Sequence, residues 1–238
     1  MGAPETPAGA AYEEAALPAV GTPWREVTFT VIDLETTGLD PATDEIISFA
    51  TLTVSAGKVR LDDARYELVR PHRMPDADTI RIHGLRESDL VGAPPLSELI
   101  GDVIEAITGR AIVAHVADVE RGFLGAALRE QELELRNPVV DTADLHRELR
   151  RLGRENPSER DPIALSDLAR DLGLPVHRPH HADGDALTTA QAFIALATHL
   201  DAFESQSVGT LERISGRERP TSPVSRLFGR LGIGRAHG

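Results

Sequence analysis

The sequence predicts an α/β fold: a central mixed sheet of five strands with helices on its faces. Three observations predict it. Strand-like runs follow one another between residues 27 and 69, as in a meander. Beyond residue 94, segments of helical period alternate with short apolar runs. No internal repeat interrupts this order, and a meander followed by alternating helices and strands makes a helix-covered sheet.

Each element has a local cause. Val27 to Leu34, the run VTFTVIDL, is apolar and β-branched and is closed by the turn signal TGLDP, which reads as a strand. Ile46 to Ser55 and Lys58 to Val69 flank Ala56-Gly57 and read as a hairpin of the same sheet. After Pro94-Pro95, residues Leu96, Leu99, Ile100, Val103, Ile104 and Ile107 recur at helical spacing up to Gly109. AIVAH, residues 111 to 115, has the character of a buried strand, and the stretch through Leu128 is helical. Pro138 to Asp141 gives a further strand, followed by a helix carrying Leu145 and Leu149. Residues 152 to 162 are polar with Gly and Pro and read as a loop, Ala164 to Leu172 as a helix ended by Gly173, and Ala182 to Leu200 as the last strong helix.

The ends lack such periods. Residues 1 to 26, rich in Ala, Pro, Glu and Gly, are expected to be a flexible leader, residues 27 to 203 the folded domain, and residues 204 to 238 an arginine-rich, disordered tail. SRLFGRLG in that tail loosely resembles clamp-binding peptides but lacks their usual glutamine.

Composition narrows the function. With 41% hydrophobic and 26% charged residues the chain has the balance of a folded soluble protein, and 238 residues favour one sizeable domain. Cysteine is absent, which excludes disulfides and thiolate metal sites, so a metal would need oxygen or imidazole ligands. No apolar run is long enough for a membrane span and no signal-peptide layout is present, so the expected location is the cytoplasm, without membrane contact. A net charge of −13 argues against coating long nucleic acid by counterion release, yet is compatible with an enzyme gripping one strand end through carboxylate-bound cations. Neither a GxxxxGK phosphate loop nor a GxGxxG after the first strand is present, which disfavours a nucleotide-binding or small-molecule hydrolase.

The chemistry-bearing residues begin at the first strand. Asp33 and Glu35 are two positions apart, so both leave the same strand face and can share a divalent cation. Near the other end, Asp185 lies five positions after His180 across a helix start, a spacing that lets both face one cleft.

The run VIDLETTGLDPATDEIISFA resembles the first motif of the DEDD exonuclease superfamily, in its group similar to polymerase proofreading subunits. The resemblance continues through IHGL at 82–85, VAH at 113–115, VVDTADL at 139–145, LSDLARDLGLP at 165–175 and HHADGDALTTAQAF at 180–193, and so spans residues 27 to 200 in order. His180, Ala182 and Asp185 occupy the His-x-Ala-x-x-Asp motif of the His-type branch. What this implies is a ribonuclease H-like three-layer fold, and 3′-5′ exonuclease activity using two divalent cations, Mg2+ or Mn2+. The substrate would be a single-stranded or frayed 3′ end, DNA favoured and RNA possible, with a polymerase or sliding clamp as a partner.

The chain departs from the family at the second motif, which usually reads His-Asn-Ala-x-Phe-Asp. Here it is His115-Val116-Ala117-Asp118-Val119-Glu120, placing Glu120 where the third metal-binding aspartate stands. Asp118 is the rival carboxylate, but two residues on a helix point about 200° apart, so both cannot face the metals. Glutamate adds one carbon, a displacement of roughly 1.5 Å, where working sites tolerate about 0.5 Å. Val116 removes a polar group near the strand end. His115 reads as a structural histidine and stays outside the catalytic set.

The implied roles are Asp33 bridging the two ions, Glu35 and Asp185 completing the first, Glu120 supporting the second, and His180 taking the proton from the attacking water. An ordinary imidazole, with a pKa of about 6.5, suits that transfer. The turn Thr36-Thr37-Gly38-Leu39, with His83, would hold the terminal nucleotide. The rival reading is a nucleic-acid-binding or scaffolding module of the same fold with a weakened site, motivated by Glu120 and Val116.

Overall fold

The computed structural model describes residues 6–153 and 162–216. The meander is β1 (Phe29–Thr36), β2 (Ile46–Ser55) and β3 (Lys58–Leu68), followed by β4 (Ala111–Ala114) and β5 (Val139–Asp141). The sheet order is β3-β2-β1-β4-β5. β1 runs antiparallel to β2 and parallel to β4, and β4 parallel to β5. Ala56 (φ 52°) and Gly57 (φ 68°) both take the left-handed conformation, the pair of angles that a two-residue hairpin turn requires.

Around the sheet lie α1 (Pro7–Glu14), α2 (Ala77–His83), α3 (Glu87–Leu90), α4 (Leu96–Ile107), α5 (Asp118–Glu130), α6 (Thr142–Leu152), α7 (Leu165–Asp171), α8 (Ala182–Asp201) and α9 (Val208–Ser215). Alternation along β1 makes three layers. Phe29 and Val31 point to one face and pack with Ala186, Ala190, Phe193 and Ala197 of α8. Ile32 and Leu34 point to the other and meet Ile100, Val103 and Ile104 of α4 with Phe123 and Leu124 of α5. Asp33 and Glu35 continue the α8 face at the carboxyl end of the strand, where the apolar pattern stops.

Both ends differ from expectation. In place of a flexible leader, residues 6–26 form a strap. Thr6 caps α1 by accepting from Gly9 N at 3.1 Å, with Pro in the first turn. Tyr12 is 1% exposed, and its hydroxyl donates to Asn137 Oδ1 at 2.6 Å. Trp24, also 1% exposed, donates from Nε1 to Asp201 Oδ2 at 2.7 Å and meets the Phe193 ring edge-on. A period search misses such anchors because each is a lone aromatic whose partners lie far along the chain.

The domain also continues past residue 203. In α9, opened by a Ser207 capping box, Val208 and Leu211 are fully buried. Its Ser215 Oγ accepts from Asp141 N at 2.8 Å, which covers the outer edge of β5. The ends hold each other: Val208 N donates to Thr22 O, Gly209 N to Val20 O and Trp24 N to Gln206 O. The remainder of the expected tail, with the SRLFGRLG run, lies outside the described residues. No helix among the described residues is long and apolar enough to cross a membrane.

Candidate active site

Parallel pairing brings the carboxyl ends of β1, β4 and β5 to one edge of the sheet, where the crevice of an open α/β sheet opens. Asp33 and Glu35 project there from β1, and the first turn of α8 adds Asp185. One carboxylate oxygen from each lies within 4.8 Å of the others. At that spacing two carboxylate charges repel by about 3 kcal/mol at an effective dielectric near 20, so the trio is unfavourable as bare anions.

Burial first, and repulsion after it, raise the ionisation range of these groups. Burial, then Glu35, Glu120 and Asp185, hold the Asp33 carboxyl well above the usual range. Burial and Asp185 push Glu35 up to about 8. Asp185 is raised by burial but moderated by the N–H of His180. An all-oxygen carboxylate set of this kind fits a hard divalent cation such as magnesium or manganese, which would relieve the repulsion.

Glu120, in the first turn of α5, is 5% exposed while Asp118 faces solvent. It stands outside the 4.8 Å trio, near enough to raise Asp33. Burial, then Asp141, Glu35 and Asp118, push it up to about 8. Its Oε2 is buried with no hydrogen-bond partner among the described residues, an unmet oxygen that also fits a cation.

The turn before α5 explains how Glu120 is set. Val116 has φ 58°, a left-handed conformation costing about 1–2 kcal/mol for such a residue and borne far better by asparagine. Asp141 offsets that cost, accepting from Val116 N at 3.0 Å and Ala117 N at 2.9 Å while capping its own helix through Ala143 N at 2.8 Å. His115 is structural in its contacts: its ring nitrogens meet Thr142 Oγ1 and Ile163 O, both at 2.9 Å.

His180 is exposed, at φ 60°, and its backbone N–H donates to Asp185 Oδ2 at 2.8 Å. His83 closes α2 and is 2% exposed. Its Nδ1 accepts from Leu85 N at 3.0 Å, so the proton sits on Nε2, which has no partner among the described residues. Burial, with His181 and His180 nearby, lowers its pKa to about 4, so it is a neutral donor.

Opposite, the turn at Thr36, Thr37, Gly38 and Leu39 is braced by Asp44, which the sequence reading passed over. Asp44 accepts from Asp40 N at 3.0 Å and Thr37 Oγ1 at 3.3 Å, and its carboxylate lies 2.4–2.7 Å from where a Cβ on Gly38 would be. Thr79 of α2 donates to Thr37 O at 3.3 Å, joining the turn to the helix that carries His83. The signal for Asp44 was its place in the first motif, but only the folded turn shows what it touches.

Comparison with known proteins agrees with this geometry. A family model described as Exonuclease matches residues 30–193. DNA polymerase III subunit epsilon of Treponema pallidum is 32% identical over 176 residues, 73% of this chain and 78% of the relative. DNA polymerase III PolC-type of Bacillus subtilis is 34% identical over 181 residues, 75% of this chain. The chain spans only 12–13% of the length of such PolC-type relatives. Among solved structures, Exonuclease X in complex with 5′ overhanging duplex DNA superposes with a TM-score of 0.61 at 23% identity, covering 79% of this chain and 99% of that one.

Proposed function

Because the chain belongs to the exonuclease family, of the DEDD type, we propose that it hydrolyses the terminal phosphodiester at a 3′ end of DNA, releasing nucleoside 5′-monophosphates. The observation that carries this reading is the convergence of Asp33, Glu35 and Asp185 within 4.8 Å, with His180 tied to the same cluster. Asp33, Glu35 and Asp185 would hold one divalent cation, magnesium or manganese, and Glu120 would support a second. When bound, such ions supply Lewis acidity and neutralise charge gathering at the phosphate.

The remaining work falls to the chain. Water attacks phosphorus and the bond to the penultimate 3′ oxygen breaks. His180, exposed beside the carboxylates, takes the proton from that water. The Thr36–Leu39 turn holds the terminal nucleotide, with His83 at the end of the helix that Thr79 joins to that turn. A polymerase as partner is supported by the relatives, which are polymerase III proteins.

A 5′-labelled single-stranded DNA and its RNA counterpart, incubated in manganese beside an Asp33→Ala, Asp185→Ala control, test the reading. A ladder shortening from the 3′ end only with the unaltered chain is expected. Because Glu120 stands outside the trio with an unmet oxygen, a binding module with a weakened site is the second reading. Intact substrate together with a metal-dependent melting shift would favour it.

A further inference from the structure

We infer that Arg178 and Tyr66 form a strand-holding subsite beside the carboxylates, the guanidinium taking a backbone phosphate and the ring a base upstream of the terminal nucleotide. This rests on the exonuclease reading.

Register places Tyr66. It pairs with Ala50, which pairs with Asp33, and residues opposite one another in a sheet share a face. Tyr66 therefore projects from the catalytic face, two strands or about 10 Å from Asp33. Although α8 covers that face, the residue keeps 37% of its surface exposed. Burial, then Asp183, raise the pKa of its hydroxyl, while a hydrogen bond with Ser48 and the charge of Arg178 moderate it.

Arg178 is anchored at the same point. Its Nη1 donates to Asp183 Oδ2 at 2.7 Å, and its side chain is 64% exposed. No other donor of the fork has a hydrogen bond among the described residues. The backbone is held as firmly. Arg178 has φ 30°, its carbonyl accepts from His181 N at 3.2 Å, and His177 N donates to Thr188 Oγ1 at 3.0 Å. A Cβ on Gly184 would lie 2.4 Å from His177 O and 2.7 Å from Arg178 O, so the segment lies directly on the first turn of α8.

The chemistry follows from charge. Asp33, Glu35, Glu120, Asp183 and Asp185 all crowd the cleft of a chain whose net charge is −13, a surface that repels a polyanion. A preorganised guanidinium with free donors at its rim answers that repulsion for a phosphate. A neighbouring ring completes the combination of cation and stacking surface used to hold single strands.

The test is binding of a 5′-fluorescein single-stranded 12-mer DNA, by anisotropy across a salt series in calcium, with cleavage kinetics on the same proteins. Arg178→Gln is expected to weaken binding about fivefold and to make the plot of log affinity against log salt shallower by about 0.7, the share of one phosphate contact on a single strand. KM rises with kcat nearly unchanged. Arg178→Lys keeps the slope, which a merely structural role would not predict. Tyr66→Leu weakens binding about fivefold or more with the slope unaltered. Wild-type affinity and slope in a folded Arg178→Gln protein would overturn the subsite, and if that variant does not fold, loss of the slope in a folded Arg178→Lys would do so. Absence of cleavage by the unaltered chain, with a slope that still depends on Arg178, would sink the exonuclease reading and leave the subsite standing.

Discussion

The backbone N–H of His180 donates to Oδ2 of Asp185 at 2.8 Å, so the two ends of the third motif are joined through the main chain and not through the imidazole. His180→Ala should therefore preserve the carboxylate cluster while removing the proton acceptor. We expect kcat to fall about 10²–10⁴-fold with the manganese-induced rise in Tm intact, whereas Asp185→Asn loses both. Steady-state kinetics beside thermal melts separate the two, and loss of the metal response in His180→Ala would contradict the assignment.

The carboxylate cluster sets a pH dependence. Glu35 and Glu120 have folded pKa values of about 8, above the ordinary 4.5. A carboxyl raised on folding binds protons more tightly in the native state, so its contribution to stability declines as pH climbs from about 4.5 to about 8. The metal-free protein should melt lower at pH 8.5 than at pH 5.5, and Glu35→Gln should flatten that fall. Magnesium should raise Tm most at high pH and release protons on binding near pH 7. Calorimetry in buffers of different ionisation enthalpy reads the proton release, and none would refute the linkage.

Gly38 has no room for a side chain, because a Cβ would lie 2.4 Å from Asp44 Oδ2. Gly38→Ala must displace Asp44 and loosen the turn that would hold the terminal nucleotide. A rise in KM of about tenfold is expected, since one misplaced contact of about 1.4 kcal/mol is tenfold in binding. The melting temperature should change little, because the turn lies outside the core, and an unchanged KM would argue that the turn does not touch substrate.

The strap makes the opposite prediction to a dispensable leader. Trp24 is 1% exposed and hydrogen-bonded to Asp201, so Trp24→Ala should destabilise the chain by about 3–5 kcal/mol. Denaturant unfolding measures this. A loss below about 1 kcal/mol would mean that the strap is not part of the cooperative unit.

Much of the architecture was legible locally. Ile46 to Ser55 was read as a strand with the bounds it has in the fold, and the helical spacing from Leu96 to Ile107 marked α4, because alternation and period are properties of neighbours in the chain. The short α2 was recognised only as the IHGL motif. Its start signal, Asp76 accepting from Asp78 N and Thr79 N, is local, but seven residues carry too little period to stand out. Tyr12 and Trp24 left no trace of their burial, since their partners lie 125 and 177 positions away.

The sequence by itself determined the chemical inventory: Asp33 and Glu35 on one strand face, His180 and Asp185 at one helix start, and a glutamate at position 120. Strand and helix periods suffice for that, because they fix which side chains share a face. Only the tertiary structure decided how deeply Glu120 is buried, that Asp44 fills the space over Gly38, and that Arg178 is tied to Asp183 at the start of α8. Those relationships arise from sheet register and from loops closing over long separations, where the energy lies in contacts between residues that the chain itself keeps far apart.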